Sequence, residues 1–315
     1  MKIFVAGATG ALGKQLVPQL VANGHEVVGT TRSQSKVDQV RSLGARPVVA
    51  DALDPDAVAQ AVAQAEPEVI VHQLTALSGS PDLRHPDRFF KTTNRLRREG
   101  TDHLLAAGRA VGARRFVAQS FAGWPFARTG GPVKTETDAL DPNPPDGIKE
   151  THAAIRYLEE AVTSADWADG IVLRYGGFYG PGTSLSSDPR AEASDQVRKR
   201  KFPIVGDGGG VWSFIQIADA ASATVAAIER GRPGIYNVVD DEPAPVREWV
   251  PALANALGAK PPRRLPRWLG RLVAGEAATA WMTEIRGASN AKAKRELGWE
   301  PRYPSWRQGF AEGLA

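Results

Sequence analysis

The sequence predicts an α/β fold: a doubly wound parallel sheet followed by a smaller, less regular α/β lobe. Three observations carry this. Short β-branched runs alternate with helical segments through the first half of the 315 residues. A glycine-rich turn joins the first run to the first helix. Loops rich in proline and glycine interrupt the second half. Strands separated by helices of this length imply parallel pairing with right-handed crossovers.

The opening "KIFVAGA" reads as a buried strand. Ala11–Ala22 reads as a helix with Leu12, Leu16 and Leu20 on one face, ended by Gly24. A strand at "HEVVGTT", a helix over Gln34–Leu43 and a strand at "RPVVA" follow. Asp54 caps a helix over Pro55–Gln64, because its carboxylate can accept from the free N–H groups of the first turn. "EVIVHQL" is the next strand, and one long helix near Asp87–Val111 leads to "RRFVAQS". Leu140–Gly147, rich in proline and aspartate, is a loop before a helix over Glu150–Ser164 and the strand "GIVLRY". Gly176–Ser187 reads as loop, "PGIYNVV" as strand, Val246–Leu257 as helix, and "SNAKAKRELGW" as a helix stopped by Gly298. There is no repeat and no long linker. A first domain over 1–175, to which 217–239 returns, should therefore pack directly against a lobe formed mainly by 176–315, with a cleft between them.

Composition narrows the function classes. The 39 basic and 35 acidic residues leave a net charge of +4, too mild and too evenly spread for a nucleic-acid binder. The densest basic run, "VRKRK" at Val197–Lys201, reads as a solvated helix end. With no cysteine, disulfides, thiolate catalysis and thiolate-held metal are excluded. No metal site is expected. No stretch approaches the roughly 20 apolar residues of a membrane span. A soluble cytoplasmic protein that meets neither membrane nor nucleic acid is the expectation.

"GATGALG" puts Gly7, Gly10 and Gly13 directly after a strand and at a helix start. In that context the glycines permit a tight turn, a close approach of pyrophosphate to backbone, and close helix–sheet packing. The helix N-terminus adds N–H donors and positive potential. Thr9, Ala11 and Leu12 belong to the same loop. The second strand ends in Thr31-Arg32-Ser33, where a carboxylate would grip a free ribose 2′-hydroxyl. A guanidinium and two hydroxyls suit a 2′-phosphate instead, with Lys36 at hand. The expected cofactor is NADP(H).

With "VVADALD", "VIVHQLTA", "EGTDHLLAA", "LRYGGFYGPGT", "GDGGGVWSFIQIADAASATVAAI", "GIYNVVDDEP" and "AKAKRELGWEPRYPSW", the chain resembles an extended short-chain dehydrogenase/reductase of the NAD-dependent epimerase/dehydratase family over nearly its whole length. The resemblance implies a Rossmann domain with a C-terminal substrate lobe. It implies a cofactor cradle that adds Asp51, Ala52, Leu74, Thr75, Ser120, Tyr175 and Phe178 to the glycine loop. It also implies pairing of subunits through the fourth and fifth helices. The charged "RLRREG" there leaves monomer and homodimer both open.

The family's acid–base residues are not matched. Relatives use a serine or threonine after the fifth strand, then a tyrosine and, four residues on, a lysine. Aligned through Glu159, this chain has Thr151 and Ile155 in those last two positions. Ser120 lies after the fifth strand, but the best register puts Phe121 in the hydroxyl's place. Arg97 stands for the family's asparagine. Candidate catalytic groups are Ser120, Lys149, Thr151 and Tyr179, with His152 and Tyr175 as further donors. Trp124, Phe126, Trp212, Phe178 and Tyr179 suggest an apolar or aromatic ligand, and Arg128, Arg190 or Arg198 could meet an anion. Three functions stay open. One is an NADP-dependent reductase of a small activated carbonyl, enone or quinone-like acceptor, which needs a proton donor less than a ketone does. The others are a non-catalytic NADP-binding sensor or scaffold, and a nucleotide-sugar epimerase or dehydratase.

Overall fold

The computed structural model describes residues 1–77 and 84–315. Its centre is a seven-stranded parallel sheet, built from β1 (Lys2–Ala6), β2 (Glu26–Thr31), β3 (Arg46–Val49), β4 (Val69–His72), β5 (Arg115–Phe121), β7 (Asp169–Tyr175) and β12 (Gly234–Val238). The strand order is β12-β7-β5-β4-β1-β2-β3. It runs outward in both directions from β1, so the strand order reverses beside β1 and β4. At such a switch point the carboxyl ends of the strands face an open crevice.

Helices cover both faces. Helix α1 (Ala11–Ala22) and α8 (Ile217–Arg230) bury Leu12, Leu16, Leu20, Ala221 and Ile228 on one side. Helix α2 (Val37–Ser42) adds Val40 to that side, and on the other lie α3 (Pro55–Ala65), α4 (Pro86–Arg95), α5 (Thr101–Val111) and α6 (Lys149–Thr163). Of these, α3, α5 and α6 send Val58, Leu104, Leu158 and Val162 into the second apolar layer. Asp54 caps α3 as the sequence indicates, accepting from the N–H groups of Asp56 and Ala57 at 3.0 and 3.1 Å. Pairing of β12 with β7, and packing of α8 against α1, bring residues 217–238 back to the main sheet.

The remaining strands form short pairs: β6 (Val133–Lys134) with β15 (Gly287–Ala288), β8 (Gly177–Tyr179) with β11 (Phe214–Gln216), β9 (Ile204–Val205) with β14 (Arg264–Leu265), and β10 (Val211–Trp212) with β13 (Ala244–Pro245). With α7 (Glu192–Arg198), α9 (Val246–Ala256), α10 (Arg267–Thr283), α11 (Ala291–Leu297) and α12 (Trp306–Glu312), they complete the chain. The second lobe has its own core of Tyr179, Phe214, Trp249, Trp306 and Phe310. No helix among the described residues is long and apolar enough to cross a membrane.

Two local features depart from the sequence reading, and a third lies in a helix that this reading leaves unassigned. The helix expected over 87–111 is broken by a π turn at Leu96–Gly100, which separates α4 from α5. Such a turn adds one residue to the helical cycle and often marks a functional site. The loop after β7 contains β8. Helix α10 breaks at Gly275, where φ is 86° and ψ is 178°.

Candidate active site and dinucleotide cradle

The glycine turn has the shape its sequence promises. Gly7 has φ +100°, and a Cβ there would stand 2.8 Å from the Gln73 carbonyl oxygen. A Cβ on Gly13 would stand 2.4 Å from the Gly7 carbonyl oxygen, so only glycine lets α1 approach β1 this closely. Gly10 takes the cap position of α1 without a side-chain cap, and the first turn carries no acidic residue. Its free N–H groups suit an anion. Thr30 Oγ1 accepts from the Gly7 N–H at 3.2 Å, tying the turn to β2. At the end of β2, the Thr31 hydroxyl accepts from the Ser33 N–H at 3.2 Å, and Arg32 is exposed. Asp51 is exposed and accepts from the Leu53 N–H at 3.0 Å, with Ala52 buried behind it. Leu74 and Thr75 follow β4 beside the same opening. Tyr175 is buried at the end of β7, its hydroxyl 2.7 Å from Thr224 Oγ1, and its ring lies 5.3 Å from Phe178. A dinucleotide fits this turn: the groups present are N–H donors, hydroxyls and a cation, and the close approaches are made by glycine.

The acid–base positions hold a different network. Thr151 is fully buried. Its hydroxyl donates to Asp87 Oδ1 at 2.6 Å and accepts from Asn94 Nδ2 at 2.9 Å. Asp87 also accepts from the Glu150 and Thr151 N–H groups at 3.2 and 2.9 Å, so it caps α6 from the start of α4. Ser120 donates to Glu159 Oε1 at 2.6 Å, while Arg174 grips both oxygens of Glu159 at 2.8 and 2.6 Å. Glu159 and Arg174 are both buried, and the guanidinium lies 5.2 Å from the Phe126 ring centre. Ile155 is buried and carries no polar group.

Several expected proton donors are unsuited to that role. Lys149 is exposed in the first turn of α6 and pairs with Asp146 at 2.7 Å; that hydrogen bond raises its pKa. Tyr179 lies in the core of the second lobe against Phe310, because β8 pairs with β11 there. Its hydroxyl has no hydrogen-bond partner among the described residues, and burial raises its pKa. Burial likewise raises the pKa of Tyr175. His152 presents Nε2 to the Pro125 carbonyl oxygen at 2.8 Å. A carbonyl only accepts, so Nε2 carries the proton, and burial lowers the ring's pKa.

An aromatic cluster stands beside the start of α6. Trp124 stacks on Phe121, with ring centres 5.4 Å apart. It also meets Phe90 of α4 at 6.3 Å, His152 of α6 at 6.2 Å, and Trp281 of α10 at 6.0 Å. Of the aromatics singled out in the sequence, only Trp124 stands in this wall. Trp212 packs on Trp249 in the lobe core, donating from Nε1 to the Trp281 carbonyl oxygen at 2.8 Å. Phe126 lies beneath Arg174. Phe90 and Trp281 had no local signal in the sequence. The expected anion binders are already engaged: Arg128 bridges Asp141 and Glu284, Arg190 pairs with Asp188, and Arg198 donates to the Ser187 carbonyl oxygen. A surface cleft of about 440 Å³ beside Gln19, Ser222 and Trp299 holds none of these groups.

His72, at the end of β4, joins the sheet to the π turn. Its Nε2 faces the Leu96 carbonyl oxygen at 3.3 Å, and the Leu74 N–H donates to Nδ1 at 3.3 Å. Burial, with a smaller effect of nearby Arg97, pushes its pKa down to about 4. The unfolded chain therefore binds a proton near pH 6.5 that the folded chain refuses until about pH 4. Stability is expected to fall as pH drops through that window and to level off below it. The slope should reach at most about 1.4 kcal/mol per pH unit. Urea midpoints across pH would show this, and His72→Gln should remove it; an unchanged slope in the variant would assign it to other groups.

The fold and the glycine cradle define a dinucleotide-binding α/β protein of the Rossmann class. The chain belongs to the NAD dependent epimerase/dehydratase family, whose sequence profile matches residues 3–238. It is 47% identical over 311 residues to a 3-diazoavenalumate denitrifying reductase of a Streptomyces species, covering 98% of this chain and 99% of that one. It is 31% identical over 269 residues to a 2-alkyl-3-oxoalkanoate reductase of Stenotrophomonas maltophilia, covering 82% of this chain and 76% of that one. Among solved structures, the UDP-glucose 4-epimerase of Thermotoga maritima superposes with a TM-score of 0.76 at 22% identity, covering 100% of this chain and 97% of that one. That likeness is one of fold.

Proposed function

We propose that the protein is an NADPH-dependent reductase of a flat, activated aromatic acceptor, and that the acceptor carries a diazo group lost as dinitrogen. One observation carries this reading. Thr151, aligned with the family's tyrosine, is held in a saturated hydrogen-bond network with an aromatic cluster beside the next residue, while the glycine turn has the shape that suits a dinucleotide. A bound nicotinamide would supply a hydride to the ring carbon of an arenediazonium cation; the new C–H bond would replace the C–N bond, whose electron pair would leave with dinitrogen, and the cation's charge balances that of the hydride. No alkoxide forms, so no protein acid is required. The residues' task is then to bind and orient. Gly7, Gly10 and Gly13 admit the pyrophosphate, Arg32 with Thr31 and Ser33 meets a 2′-phosphate, and Trp124, Phe121, Phe90 and Trp281 hold the acceptor's ring. The name of the 47% identical relative supports this, since it joins a diazo substrate, a reduction and the loss of nitrogen.

The test uses 4-diazobenzoate with NADPH deuterated at the transferred position, against an enzyme-free control. Dinitrogen release should match NADPH consumed, and deuterium should appear on the arene carbon. Repeating the reaction in heavy water with ordinary NADPH should leave that carbon unlabelled. If diazo, enone and quinone acceptors are all reduced no faster than in buffer, the reductase reading fails and a binding-only role replaces it.

A further inference from the structure

We infer that Arg97 is a substrate-binding residue that selects aromatic acceptors bearing an oxyanion, either a carboxylate or a phenolate. The inference rests on the reading that the ring wall receives the substrate.

Arg97 belongs to the π turn and is 9% exposed. A guanidinium keeps its charge at any working pH. Its single hydrogen bond among the described residues runs from Nη1 to the neutral amide oxygen of Asn94 at 3.3 Å. No carboxylate of the described residues lies within ion-pair distance of it. The nearest acid to act on it is Glu159, and both oxygens of Glu159 are taken by Arg174, with Ser120 on one of them. The contrast with Arg174 is direct: that guanidinium is as deeply buried but has a bidentate partner. Lys149, Arg128 and Arg190 are matched by acids too.

Burying a cation without a counter-charge costs several kcal/mol. A protein that keeps one beside half-buried aromatic rings has a use for an anion delivered from outside. The surroundings say what kind of anion. The guanidinium carbon lies 6.0 Å from the centre of the Phe90 ring, which is 6.3 Å from that of Trp124. Cation and ring wall thus form one continuous surface, matched by a flat ring with an oxyanion. The network around Thr151 also gains a purpose. Asp87 fixes Thr151, Thr151 fixes Asn94, and Asn94 holds Arg97, while His72 anchors the neighbouring Leu96 carbonyl.

Isothermal titration of the protein with two matched pairs tests this: trans-cinnamate against its methyl ester, and 4-nitrophenolate against 4-nitroanisole. The wild type should bind the anion of at least one pair about tenfold more tightly than its neutral partner, a difference of about 1.4 kcal/mol. The pair that responds identifies carboxylate or phenolate. Arg97→Met should abolish the preference, and Arg97→Lys, a point charge without the planar fork, should keep part of it. If the methionine variant does not fold, Arg97→Lys and Arg97→Gln carry the comparison. Four outcomes overturn the inference: no binding by any of the four compounds, no anion preference in the wild type, a preference that survives without the guanidinium, or a parallel loss of NADPH affinity. Diazo reduction is assayed separately. Its absence beside an intact anion preference would remove the diazo-reduction reading and leave the role of Arg97 standing.

Discussion

Glu159→Gln is expected to destabilise the fold by about 3–5 kcal/mol, because it leaves the Arg174 guanidinium buried without a counter-charge. The carboxylate accepts two bonds from Arg174 and one from Ser120, and nothing else of opposite charge reaches that guanidinium among the described residues. A protein of ordinary stability holds only about 5–15 kcal/mol in reserve, so roughly a fifth of it or more would be lost. The midpoint of urea unfolding should fall while the denaturant slope stays unchanged. The double substitution Glu159→Leu with Arg174→Met should recover most of the loss, since an apolar pair of similar volume removes the uncompensated charge. A single-variant change below about 1 kcal/mol would show that water reaches Arg174 and that the pair is not sealed.

Arg32→Ala is expected to weaken NADPH binding roughly 10- to 100-fold while changing NADH affinity little. A charge-assisted contact to a phosphate contributes about 1.5–3 kcal/mol, and each 1.4 kcal/mol is tenfold. Arg32 stands exposed at the end of β2 and makes no hydrogen bond or ion pair among the described residues, so its removal disturbs no packing. The wild type should itself prefer NADPH. Equal affinities for the two dinucleotides, or equal losses in the variant, would defeat the 2′-phosphate assignment. Because the residue is solvated, the preference should also shrink as salt rises.

The sequence disclosed what depends on local rules. The glycine spacing, the Asp54 cap and the apolar face of α1 each follow from backbone geometry within one turn or strand. The expectation that Thr151 and Ile155 take the tyrosine and lysine positions rested on Glu159, which set the register of α6. The fate of Tyr179 was not. Its position after β7 suggested a cleft, but a three-residue pairing with β11 turns it into the core of the second lobe. Lys149 stood beside the right helix, yet its place in the first turn points it to Asp146 and solvent. The π turn has no pattern of its own: inserting one residue into a helix leaves its composition unchanged, and only its buried arginine betrays it. Phe90 and Trp281 lie far apart in sequence, so no window of residues displays them together.

That last point bears on how the site comes into being. The rings around Trp124 arrive from α4, the end of β5, α6 and α10. The glycine cradle, by contrast, lies within the first β-strand, turn and helix. Contacts between distant parts of a chain are the slow ones to close. The dinucleotide turn can therefore take shape early, from neighbouring residues, whereas the aromatic enclosure waits for the last third of the chain to dock. On the function proposed above, grip on the cofactor and choice of acceptor are separate acquisitions of the folding chain, and drift in α10 would retune the second without touching the first.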